Sequence, residues 1–184
     1  MTDERSGAAA PLASVIGVVA AAALVPLNST MIAGALPSIS DEFDVTTAEV
    51  SVLVTLYLVI MLVGQPVAGR VADSVGARRT VRFALAGLAS FSLLAAFAGS
   101  FAFLVVARSL QAVCAAALGP GVQSLLRSMA APGEQGRVFG ILGSAQGAGA
   151  ASGPVVGGLL IQIFDWRGIF VINVPIVLLA IVAT

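Results

Sequence analysis

Residues 49–79 read EVSVLVTLYLVIMLVGQPVAGRVADSVGARR. After Glu49 no charge appears before Arg70, and the intervening block is long enough to cross a bilayer, since a membrane helix needs about 20 residues at 1.5 Å rise each. From Gly69 to Arg79 the character changes: one acid, Asp73, stands among Arg70, Arg78 and Arg79. Gly69 permits a close helix approach and Gly76 supplies a backbone with positive φ for a tight turn. Asp73 is expected to accept hydrogen bonds from the start of the next helix or to pair with Arg78 or Arg79. A plain basic cytoplasmic loop with a cap fits the spacing equally well.

The same alternation of apolar block and polar break places six spans near 12–36, 49–69, 79–99, 101–126, 138–162 and 168–184. The composition agrees: 59% of the 184 residues are hydrophobic, 10% are charged and the mean hydropathy is +1.06. A soluble domain carries about 25% charged residues. The expectation is an all-α integral membrane protein of six transmembrane helices (12–184) behind a cytoplasmic tail (1–11). Asp3 and Glu4 beside Arg5 make a poor n-region for a cleaved signal, so the first apolar stretch counts as a span. The last span runs to Thr184 without a basic flank, which reads as a chain lacking its C-terminal half.

Arginines orient the bundle. Arg5, the Arg70, Arg78, Arg79 and Arg82 group, and Arg127 with Arg137 occupy one set of connections. The other set holds Asp41, Glu42, Asp44, Glu49 and Asp165, with Arg167 as its one base. The positive-inside rule then puts both termini in the cytoplasm, in a multi-pass inner (plasma) membrane protein.

Absent residues exclude chemistry. Without Lys there is no phosphate-binding P-loop, and without His no zinc hydrolase of the His-Glu-x-x-His kind. No nucleophile or ligand cluster sits at mid-membrane for an embedded enzyme. No cofactor, metal or nucleic-acid partner is expected. Cys114, the only cysteine, reads as a small packing residue.

Several polar groups remain inside the spans. Arg108 lies about 10 Å along the fourth span, and a charge there must face protein or water. Gln111 shares its face, so the two are expected to point into a polar cavity; the plainer reading has Arg108 holding helices together through backbone carbonyls. Asn28, Gln65, Gln146 and Asn173 add amides, each of which more often bridges helices than touches a ligand. In the fifth span Gly149, Gly153 and Gly157 recur every four residues, allowing a neighbour to pack closely, and Pro154 bends the helix beyond them. Pro66-Val67-Ala68-Gly69 is echoed three spans later by Pro154-Val155-Val156-Gly157, as expected of two inverted three-helix repeats.

Together these segments resemble the major facilitator superfamily, and within it the fourteen-helix drug:proton antiporters. The connection between spans 2 and 3 is similar to the Gly-x-Leu-Ala-Asp-Arg-x-Gly-Arg-Arg signature at Gly69, Ala72, Asp73, Gly76, Arg78 and Arg79. Arg108 and Gln111 resemble the Arg-x-x-Gln motif of helix 4. Gly149, Gly153, Pro154, Gly157 and Gly158 resemble the antiporter motif of helix 5. Trp166-Arg167-Gly168-Ile169-Phe170-Val171-Ile172-Asn173-Val174-Pro175 is similar to the start of helix 6 in the fourteen-helix branch.

The resemblance implies half of a major-facilitator fold and efflux of small organic or drug-like molecules by proton antiport with alternating access. Its partners would be substrate, protons, the lipid bilayer, and a missing C-terminal half or second copy. Asp73 with its arginines would latch the cytoplasmic side, Arg108 with Gln111 and Asn28 would line the coupling cavity, and the helix 5 glycines would seal against leak. Asn28 departs from the branch, which has Asp there, and so removes the one carboxylate expected inside this half. Ser74, Ala77 and Ala112 are milder departures. The alternative is a truncated fragment that does not transport and serves as a membrane scaffold.

Overall fold

The computed structural model describes residues 12–130 and 133–183, with side chains from Gly17 to Val182. The tail predicted over 1–11, with Arg5, lies outside them. The described residues form eight helices: α1 (Leu12–Phe43), α2 (Thr47–Val50), α3 (Val52–Val75), α4 (Ala77–Ala96), α5 (Phe101–Met129), α6 (Gln135–Phe164), α7 (Gly168–Val171) and α8 (Asn173–Ala183). They make six spans, because α2 is a single turn leading into α3 and α7 and α8 are two pieces of the last span. Five spans are long and apolar enough to cross a membrane; the sixth, Gly168–Val182, is apolar but shorter.

The ends differ from the sequence expectation for local reasons. α1 continues past Pro37 because the lost hydrogen bond is outweighed by burying Ile39, and it stops where Asp44 takes φ 50. The next span opens with a capping box, Thr46 accepting from the Glu49 amide while the Glu49 carboxylate accepts from the Thr46 amide. α3 runs past Gly69 to Val75, so the expected tight turn from Gly69 to Arg79 shrinks to Gly76, whose φ of 99 breaks the helix. The last span breaks at Ile172, since Pro175 in the first turn of α8 has no N–H to continue the ladder.

The neighbour relations repeat. α1 lies against α6 as α3 lies against α5, and α4 meets α5 as α8 meets α1. α3 touches α4 as α6 touches α7, and α1 touches α3 as α5 touches α6. Exchanging spans 1, 2, 3 for 4, 5, 6 leaves this map unchanged. Three crossings separate each exchanged pair, so the two triplets run in opposite directions, the inverted repeat that the Pro-x-x-Gly echo suggested.

Close contacts explain the tight pairs. A methyl added at Gly149 would lie 2.6 Å from the Ala23 carbonyl oxygen, one at Gly157 would lie 3.1 Å from the Met31 Cα, and one at Gly153 would collide with Thr30. Gly158, by contrast, has nothing within 4 Å. Gly69 is not the close approach of α3 either: that is Gly64, where an added methyl would lie 3.0 Å from the Ala116 Cβ.

Buried apolar residues form two clusters, one around Leu24, Leu88 and Val122 and one around Met31, Leu104 and Phe170. The polar layer lies between them.

Candidate functional site: a sealed polar layer beside an open cavity

Each polar residue of the layer interrupts an apolar stripe that is buried above and below it: Asn28 between Leu24 and Met31, Ser92 between Leu88 and Ala95, and Asn173 between Phe170 and Val177. Arg108 and Gln111 do the same on α5, between Leu104 and Ala115. Folding stacks these interruptions at one level. The Arg108 Nη1 donates to the side-chain oxygens of Asn28 and Gln111. The Gln111 Nε2 donates to the Ser92 hydroxyl at 2.5 Å, and the Asn173 Nδ2 donates to the same oxygen at 3.1 Å. One chain of hydrogen bonds thus joins spans 1, 3, 4 and 6. Span 2 closes it with Tyr57, whose ring centroid lies 4.1 Å from the guanidinium carbon, a cation–π contact in a desolvated place.

Arg108 is only 2% exposed, and its Nε and Nη2 have no hydrogen-bond partner. Its partners are amides, neither the backbone carbonyls of the plainer reading nor a carboxylate. Among the described residues every Asp and Glu lies at or beyond a span end, so the guanidinium has no counter-ion inside the bundle. An uncompensated buried charge is costly, and the Tyr57 face and two amide oxygens offset only part of that cost.

The expected polar cavity exists, but Arg108 and Gln111 do not line it. It is a cleft of about 810 Å³ between α1, α3, α5 and α6, lined by Ser29, Thr30, Gln65, Gln123 and Gln146 among apolar residues such as Val25, Met61 and Leu118. The reason is steric: Tyr57, 1% exposed, packs on Arg108, while its neighbours Leu58 and Met61 face the cleft. Gln123, which no motif singles out, joins Gln65 and Gln146 here because all three line the cleft from different spans.

Asp73, Arg78 and Arg79 share the rim of a separate cleft with Ser124 and Ser128. All three are exposed, and among the described residues Asp73 neither pairs with an arginine nor caps α4, which begins after Gly76 without a side-chain cap. The expected internal pairing is therefore not made; the extra helical turns of α3 carry Asp73 on a solvent-facing side. Gly149, Gly153 and Gly157 pack against α1 as described, whereas Pro154 and Gly158 point away from that seam.

A second cluster, at the opposite end, escaped the sequence reading as a unit. The Glu42 carboxylate accepts from the Trp166 indole at 2.6 Å and from both Nη atoms of Arg167, at 2.8 and 2.6 Å. Arg167 lies over the Trp166 ring, and its hydrogen bond to Glu42 raises its pKa further. Phe43 and Phe170 pack on the buried indole, and Phe101 packs on Phe43. The acid-rich connection and the Trp-Arg pair were both visible in the sequence; the long-range link between them was not.

The six-span helical fold agrees with comparison to known proteins. The profile of the Major Facilitator Superfamily matches residues 18–184. The chain belongs to that superfamily. Among curated superfamily relatives, it is 36% identical over 173 residues to the tetracenomycin C resistance and export protein of Streptomyces glaucescens, covering 94% of this chain and 32% of that protein. It is 37% identical to the puromycin resistance protein pur8 of Streptomyces alboniger, over 89% of this chain and 33% of the relative. It is 36% identical to the multidrug efflux pump LfrA of Mycolicibacterium smegmatis, over 84% and 31%. The chain thus spans about a third of the length of the curated relatives it matches. It is a multi-pass membrane protein of the superfamily, related to drug efflux pumps.

Proposed function

We propose that this bundle is the N-terminal wall of a small-molecule exporter that works by alternating access, rocking against a second bundle around a site near the midplane. The observation that carries the reading is the sealed polar layer running behind an open, drug-sized cavity built on α1, α3, α5 and α6. The layer ties spans of both repeats into one body, and the cavity lacks a wall on one side. α3 and α6 leave Leu58, Leu62, Val155 and Leu159 exposed, which suits a second six-helix bundle or a second copy as the opposite wall. The efflux relatives support export as the direction.

The arginine distribution supports a cytoplasmic N-terminus in the inner membrane. Asp73, Arg78 and Arg79, free of ion-pair partners among the described residues, would latch that face by pairing across to the second bundle. Gly149, Gly153 and Gly157 would keep α1 and α6 sealed against leak, with Pro154 and Gly158 on the face away from that seam. Protons are the proposed coupling ion. With Asn28 in place of a carboxylate, the group that carries them belongs to the second bundle, and Arg108, Gln111 and Asn28 here transmit the change of state.

Efflux of a fluorescent drug from cells expressing this bundle with its second wall tests the proposal. Arg108→Ala should reach the membrane in normal amount and lose at least tenfold of the efflux rate. Unchanged efflux would overturn the role of the polar layer.

A further inference from the structure

The charge of the cavity predicts what it takes. Gln65, Gln123 and Gln146 come from α3, α5 and α6, and none of their amides has a hydrogen-bond partner among the described residues. Ser29 and Thr30 add hydroxyls from α1, though Thr30 already donates to the Pro26 carbonyl at 2.9 Å. No lining residue is ionisable. The Arg108 guanidinium lies behind the Tyr57 ring, and no carboxylate among the described residues neutralises it. A cation entering the cleft would meet amide dipoles and the field of an uncompensated positive charge in a medium that screens poorly. An uncharged molecule meets three amides from three helices and an apolar wall, the usual recipe of a small-molecule site: mostly apolar lining, a few placed polar groups, and a volume in the roughly 300–1,000 Å³ range.

We propose that the cavity selects uncharged, largely apolar molecules bearing carbonyl or hydroxyl groups, which the three glutamine amides hydrogen-bond, and that it discriminates against permanent organic cations. This rests on the reading of the cleft as the substrate path. The free amides explain the preference in both directions: each donates to a carbonyl and accepts from a hydroxyl, and none supplies the negative charge that would offset the desolvation of a cation.

Equilibrium binding to the full chain in lipid nanodiscs, with empty nanodiscs subtracted, decides it. The probes are Nile red, an uncharged carbonyl-bearing dye, and ethidium, a permanent cation. The wild type should bind Nile red saturably, at least tenfold tighter than ethidium. Gln123→Glu, a change at an exposed side chain that leaves packing intact, should strengthen ethidium by tenfold or more and weaken Nile red. Ethidium binding as tight as Nile red to the wild type, or no change of either in Gln123→Glu, overturns the selectivity while leaving a binding cavity in place. Saturable binding of neither probe to either protein overturns the substrate-path reading and the selectivity with it.

Discussion

The Arg108 guanidinium donates to the Asn28 side-chain oxygen across 80 residues of chain, joining the fourth span to the first by a hydrogen bond between a charge and a neutral amide. An Asp at position 28 would keep the geometry and add the missing counter-ion. Asn28→Asp is therefore expected to raise the melting temperature in detergent by several degrees at neutral pH, and the gain should vanish in acid as the new carboxyl protonates. Asn28→Ala should act in the opposite sense, by about 1–3 kcal/mol, because it strips an acceptor from a buried cation. Thermal melts of the three proteins at two pH values provide the comparison.

The α1–α6 seam depends on the absence of three methyl groups. Gly149→Ala meets a backbone oxygen that cannot move aside without shifting α1, and should cost about 1–3 kcal/mol. Gly157→Ala, against the Met31 backbone, should cost a similar amount. Gly158→Ala points into open space and should stay within about 0.5 kcal/mol of the parent. Equal melting temperatures for Gly149→Ala and Gly158→Ala would contradict the close packing.

Glu42 holds the only tryptophan, so its loss has an optical readout. Glu42→Ala should red-shift and broaden the Trp166 emission as water reaches the indole, with a stability loss of about 1 kcal/mol, since the Arg167 partner is partly exposed and screened. Glu42→Gln keeps an acceptor for the indole and should restore most of the emission. An unchanged spectrum in Glu42→Ala would mean the aromatic cage alone excludes water.

Gly76 turns α3 into α4 at φ 99, a conformation that an L side chain reaches only under strain. Nothing lies within 4 Å of an added methyl there, so the penalty of Gly76→Ala is purely conformational, about 1–2 kcal/mol. Gly76→Asn should do no better, because φ 99 with ψ 136 lies outside the left-handed helical region that Asn tolerates. A melting series of the three proteins measures both penalties.

Spans and the glycine seam were legible because they depend on local patterning: runs of apolar residues and a four-residue period. Helix ends were less so, since Pro37 and Gly69 look like stops until the burial of Ile39 and Ala72 beyond them is known. The site was half legible. Arg108 and Gln111 announced themselves as polar groups in apolar surroundings, but whether they faced the cavity depended on where the Tyr57 ring fell, and no spacing encodes that. Asp73 was expected to pair within its own turn; the continuation of the helix from Gly69 to Val75 turned it outward. The Glu42–Trp166–Arg167 cluster joins chain ends more than a hundred residues apart and so has no local trace.

The seam between α1 and α6 also bears on how the molecule is made. The tightest neighbours of each helical triplet belong to the other triplet, so neither triplet is a natural assembly unit. As the ribosome delivers the chain in order, α1 enters the bilayer with its complementary surface still unsynthesised, and Ala23, Thr30 and Met31 face lipid or passing chaperones until Gly149, Gly153 and Gly157 arrive. Assembly of the bundle is thus a late event that waits for the fifth span, and the small-residue groove of α6 is the piece that ends the wait.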